Sequence, residues 1–239
     1  MSITMPPRRG AKSSPSLQGV LDETLLAAAG KAHRNDPVVG RTGGPAGNAT
    51  LTAWAGLALL ILGLAELVTL ISVGRLITWH IAIGVALVPV ALLKIGTTSW
   101  RMIRYYRSNR HYKTAGPPPL LLRLLGPLVV VSTLALLASG GALVYLGPSR
   151  TWQPFVTLLG QGISPLTLHQ ASFAVWGGAV GIHLLARLVP ALQLTVLRRP
   201  AHPGALLRVV AGGATAVAAV AAVTFVLAHA QSWTQGWLA

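Results

Sequence analysis

The sequence predicts an all-α fold, a polytopic membrane helix bundle with five transmembrane helices. Three observations carry this. Hydrophobic residues fill 53% of the 239 positions and charged residues only 10%, where a soluble domain carries about 25% charged residues. Five apolar runs each approach the ~20 residues that carry a helix across a bilayer. Lysine and arginine gather in alternate connections between those runs. Leu/Ala-rich runs of this length read as helices, because an open sheet edge cannot be satisfied in lipid.

Residues 1–50 are basic and rich in Gly, Pro and Ser, and are predicted to be a disordered cytoplasmic region. Within them, 17–29 can form a helix too short to be stable alone. No apolar run follows the Arg8–Arg9 pair closely, so a cleaved export signal is not expected. The first predicted span, 51–73, has Glu66 as its only charge. The second, 76–100, holds His80 and Lys94. The third, 120–146, carries Arg123 near its start. The fourth, 166–192, holds His169, His183 and Arg187. The fifth, 209–228, has no charge. Residues 51–195 thus form a four-helix membrane unit, and 196–239 a fifth helix with a short tail.

Positive charge sets the expected orientation. Arg8, Arg9, Lys12, Lys31, Arg34 and Arg41 precede the first span, and Arg101, Arg104, Arg107, Arg110, Lys113 and Arg123 join the second to the third. Arg198, Arg199 and Arg208 precede the fifth, whereas the other side has only Arg75 and Arg150. The N-terminus is therefore expected in the cytoplasm and the C-terminus outside. Trp79, Trp152, Trp233 and Trp237 fall at the outer interface, and Trp54 and Trp100 at the inner one. A net charge of +15 is then explained by anionic lipid headgroups. Nucleic acid is not an expected partner, because a soluble basic domain with interleaved aromatics is missing.

The chemistry-bearing residues repeat at one interval. His80 and Lys94 lie fourteen residues apart on the second span, and His169 and His183 fourteen apart on the fourth. Fourteen residues are just under four turns, about 21 Å, so each pair faces nearly one way. Ionisable groups inside a bilayer are functional candidates by default. The second and fourth spans run in the same direction, which sets His80 level with His169 and Lys94 level with His183. Gly126 and Gly140 repeat the interval on the third span, and Gly84 lies one turn from His80. Glycines at these depths admit a flat group close to the backbone. They also read as the small packing residues common in membrane helices. The absence of cysteine excludes disulfides, thiolate clusters and covalently attached haem.

These residues resemble the membrane cytochrome b fold. In that family four helices hold two stacked haems, with paired histidines on two helices and glycines clearing the porphyrins. The likeness covers residues 51–195. It implies haem b, with one or two groups, and the metal ligands His80, His169 and His183. It also implies Gly84, Gly126, Gly140 and Lys94 around the cofactor. Lys94 stands where the pattern wants histidine. The run KIGTTSWRMIRYY, 94–106, followed by GPPPLLLRLLGP, 116–127, is also similar to small bacterial membrane proteins of cytochrome b type. The resemblance implies a bacterial inner-membrane protein, an electron-transfer subunit of an oxidoreductase, working with a quinone and a partner redox subunit.

Alternatives stand beside it. Lys94 can ligate iron, or pair with a haem propionate or Glu66, or mark a lost inner haem. Histidines at helix ends, such as His80, His169 and His229, commonly reach water, and Glu66 reads as an interhelical hydrogen-bond partner. A membrane scaffold or assembly subunit, and a small proton or ion transporter using Glu66, Lys94 and His183, are the rival functions. There is no dinucleotide fingerprint and no P-loop, so electrons would have to come from a partner.

Overall fold

The computed structural model describes residues 16–31, 36–197 and 202–234. Arg8, Arg9, Lys12, Arg34, Arg198, Arg199 and Trp237 lie outside them. The described chain is almost wholly helical. Four helical stretches are long and apolar enough to cross a membrane: Gly44–Tyr106, Leu120–Leu146, Pro165–Leu197 and Ala205–His229. This is a membrane protein.

The first of these stretches is bent back on itself. Helix α1, Leu17–Ala28, is followed by α2, Gly44–Thr69, a 3-10 turn at Leu70–Ser72, and α3, Val73–Tyr106. Ser72 and Leu76 leave helical geometry, and that break turns α3 antiparallel to α2. At the far ends of the two arms Asn48 Nδ2 donates to the Thr97 carbonyl at 3.1 Å. Next come the short α4, Arg110–Thr114, then α5, Leu120–Leu146, and α6, Pro165–Leu192, with a π-turn at Gln193–Leu197. Helix α7, Ala205–His229, and the single turn α8, Gln231–Thr234, complete the order. Pro89, Pro127 and Pro190 sit inside α3, α5 and α6, as membrane helices tolerate.

Two segments depart from expectation. Residues 44–50, predicted to be disordered, are helical, whereas 17–28 form the helix that the sequence allows. Ser16 Oγ caps α1 by accepting from the Gly19 N–H at 3.1 Å, and tertiary packing against α6 and α5 supplies what a short helix lacks alone. Between α5 and α6 the chain forms a hairpin of β1, Val156–Leu158, and β2, Gln161–Ile163, paired antiparallel with Val156 opposite Ile163. Its turn residues Leu159 and Gly160 both have positive φ, the backbone that right-handed strand twist favours in a two-residue turn.

The long helices close into a ring. α2 packs on α3, α3 on α5, α5 on α6 and α6 on α2, so α3 and α6 occupy a diagonal. α7 lies along the outside of α3 and has no buried residue. Apolar packing concentrates at the two ends. At the hairpin end Ile81, Leu143, Ala230 and Trp233 cluster, and Trp233 Nε1 donates to the Leu143 carbonyl at 3.2 Å. At the opposite end, beside α1, the cluster is Leu122, Leu125, Ala179 and Ala186. The only side chains of any size shut off entirely from the surface are Thr151 and Pro45 among the described residues.

The entry to α7 is held by backbone against backbone. Gly204 has φ +80°, and a Cβ there would stand 2.8 Å from Thr42 Cα and 2.9 Å from the Arg41 carbonyl oxygen. Gly204→Ala is expected to lower stability by about 1–3 kcal/mol, read as an earlier thermal unfolding midpoint in detergent. Gly40→Ala, where φ is +63° but nothing lies within 4 Å, is expected to cost less.

Candidate functional site

The diagonal brings two histidines together. His80, on the first turns of α3, and His169, on the first turns of α6, have ring centres 6.3 Å apart and ring planes 88° to each other. Both are half-buried. Each is anchored by its Nδ1 to the neighbouring helix of its own pair. His80 Nδ1 lies 3.0 Å from Glu66 Oε1 and 2.9 Å from Thr69 Oγ1, both on α2. His169 Nδ1 lies 3.0 Å from Ser139 Oγ on α5.

The hydroxyls decide the tautomers. Thr69 Oγ1 donates its one proton to the Glu66 carbonyl at 2.6 Å, and Ser139 Oγ donates to the Leu136 carbonyl at 3.0 Å. A hydroxyl has a single proton, so each faces its imidazole as an acceptor. With the hydroxyl protons so placed, the network assigns a proton to Nδ1 in both rings. A carboxylate or hydroxyl on the far nitrogen is the usual support of a metal-bound histidine.

The glycines divide into roles. A Cβ at Gly140 would lie 3.2 Å from His169 Cε1, and one at Gly84 would lie 3.5 Å from Glu66 Oε1. Gly140 thus clears the His169 ring, whereas a Cβ at Gly84 would make only ordinary contact with the Glu66 carboxylate. A Cβ at Gly126 would meet nothing within 4 Å, as at Gly177, Gly178 and Gly181.

The other expected pair is built differently. Lys94 Nζ reaches from α3 to α2 and donates to the Thr52 carbonyl at 3.3 Å, occupying the space Gly56 leaves: a Cβ there would stand 2.9 Å from Nζ. Glu66 is therefore the partner of His80, and the expected Lys94–Glu66 pair is not formed. His183 lies within electrostatic range of Lys94 and Arg187, yet its buried Nδ1 has no hydrogen-bond partner. His229 bonds back to the Phe225 carbonyl of its own helix at 2.7 Å. Arg101 pairs with Asp36 at 2.6 Å, and Arg104 stacks over Trp100 and Tyr112.

Thr69 and Ser139 escape a reading from sequence. Hydroxyl residues in apolar runs are commonplace, and only the depth of Ser139, adjoining Gly140, marks it. Beyond Ser139 a cleft of about 370 Å³ opens at the hairpin end, lined by Ala142, Leu146, Arg150, Phe155 and Leu168 among others. Among the described residues no group of three or more His, Cys, Asp or Glu side chains is placed to enclose a metal ion.

Comparison with protein-family models, curated proteins and solved structures returns no match to this chain.

The two glycines of α5 separate by a steric test. Gly140→Val is expected to displace the His169 ring and cost about 1–3 kcal/mol. Gly126→Val is expected to stay within about 0.5 kcal/mol in cofactor-free protein. Thermal unfolding of both variants in one detergent checks the difference.

Proposed function

We propose that the protein is a haem b membrane electron-transfer subunit, with one haem held between His80 and His169. The observation that carries this is the approach of the two imidazoles from opposite corners of the ring, with centres 6.3 Å apart and planes at 88°, each anchored through Nδ1 on its own helix pair. Metal–imidazole bonds are about 2 Å long, so rings at this spacing would both reach one ion. Two protein donors are too few to enclose a bare ion. They suit a macrocycle that brings four nitrogens of its own.

The haem would supply a one-electron iron couple with no open coordination position. The chain's part is to hold the two rings, to keep their tautomers through Thr69 and Ser139, and to clear space at Gly140. His183 lacks the supporting acceptor that both outer histidines have, and Lys94 is committed to Thr52. Both facts favour a single haem over a second one at that depth.

Direction and partners follow from the same arrangement. Gly44–Tyr106 crosses twice, as α2 and α3, which makes five passes in all. The arginines around α4 favour an orientation with that end in the cytoplasm of a bacterial plasma membrane and the hairpin end and C-terminus outside. The cleft beyond Ser139, apolar with Arg150 at its rim, suits a quinol as electron donor or acceptor. The unburied length of α7 suits contact with a partner redox subunit.

A scaffold has its own supporting observation: the His80–Glu66 and His169–Ser139 bonds each tie one helix pair together, as interhelical polar glue does. A reduced-minus-oxidised visible spectrum of the purified protein, with pigment extraction, decides between them. The haem reading expects a b-type spectrum that disappears in His80→Ala and in His169→Ala and persists in His183→Ala. A colourless wild-type protein selects the scaffold.

A further inference from the structure

We infer that Glu66 is a positioning residue that makes the two histidines unequal electron donors and holds the haem at a low reduction potential. The inference rests on the haem reading above and goes beyond it.

The asymmetry is in the supports of the two rings. His80 Nδ1–H faces a carboxylate oxygen at 3.0 Å as well as the Thr69 hydroxyl. His169 Nδ1–H faces a neutral hydroxyl, Ser139, at 3.0 Å. A carboxylate acceptor makes a charge-assisted hydrogen bond, roughly twice as strong as a neutral one, and raises the basicity of the ligating nitrogen. A more basic donor favours ferric over ferrous iron.

Nothing nearby dilutes this charge. The chain has four acidic residues, Asp22, Glu23, Asp36 and Glu66, and only Glu66 lies in an apolar span. Its second oxygen, Oε2, is buried without a hydrogen-bond partner. Lys94, the cation on the facing helix, is turned to Thr52. The carboxylate therefore acts on His80 alone, in surroundings where low polarity strengthens each hydrogen bond.

The test is a redox titration of the purified full-length haem protein and its Glu66→Gln variant, followed optically, with ferric EPR on the same samples. Gln is isosteric but uncharged. The expected result is unchanged haem content, a shifted low-spin ferric signal, and a rise in the reduced-to-oxidised ratio of tenfold or more at fixed ambient potential. That ratio corresponds to about 59 mV upward for one electron. Ser139→Ala is expected to shift it less. A Gln variant that keeps its haem and stays within about threefold of wild type overturns the role of Glu66 and leaves the haem reading standing. If the Gln variant loses its haem, Glu66→Asp decides: retracting the carboxylate must still raise the potential, and an unchanged value overturns the inference. A colourless wild-type protein overturns both.

Discussion

Two hydroxyl protons organise the centre of this bundle. Thr69 and Ser139 each turn their single proton onto a backbone carbonyl of their own helix and offer a lone pair to an imidazole on the next. That choice propagates outward. It sets the protonated nitrogen of each ring, and it joins α2 to α3 and α5 to α6 near the hairpin end. The apolar cluster of Ile81, Leu143, Ala230 and Trp233 packs at this same end, which keeps the first turns of α3 in place. Polar anchoring and apolar packing therefore coincide where the two histidines meet.

The order of helices around the ring matters as much as the side chains. Short connections make sequence neighbours pack antiparallel, so α2 pairs with α3 and α5 with α6. Closing the ring then sends α3 and α6 to opposite corners. Both run in one direction, and both begin with a histidine near the first turns. The diagonal gives them separation across the ring. Adjacent corners would pack the same residues against each other and leave no space between them.

Much of this was legible in the residues. Apolar run length located the helices, and α5 matches its predicted bounds because Pro119 precedes it and Gly147 follows. The fourteen-residue interval aligned His80 with His169, since helical rise converts sequence distance directly into depth. What escaped was local. The start of α2 at Gly44 depends on Gly43 in the left-handed region and Pro45 in the first turn, a cap that the polar composition around it obscures. The Val156–Ile163 hairpin is too short for its periodicity to stand out. Glu66 was visible as a lone membrane charge, but its partner was not. Lys94 and His80 lie fourteen residues apart on one face of α3, and only the place of the α2–α3 bend decides which of them Glu66 meets.

The contrast between the two depths argues for the unequal use of the four ionisable groups. At the outer depth His80 and His169 each hold Nδ1 against a hydroxyl on the neighbouring helix, with Glu66 as a second partner of His80. At the other depth the arrangement is reversed. Lys94 has its carbonyl and fills the space over Gly56, while the Nδ1 of His183, where a ligand would need support, is the unpaired atom. The two depths thus differ in support: both imidazoles at one are anchored through Nδ1, whereas at the other the amine is committed to a carbonyl and the imidazole Nδ1 has no partner.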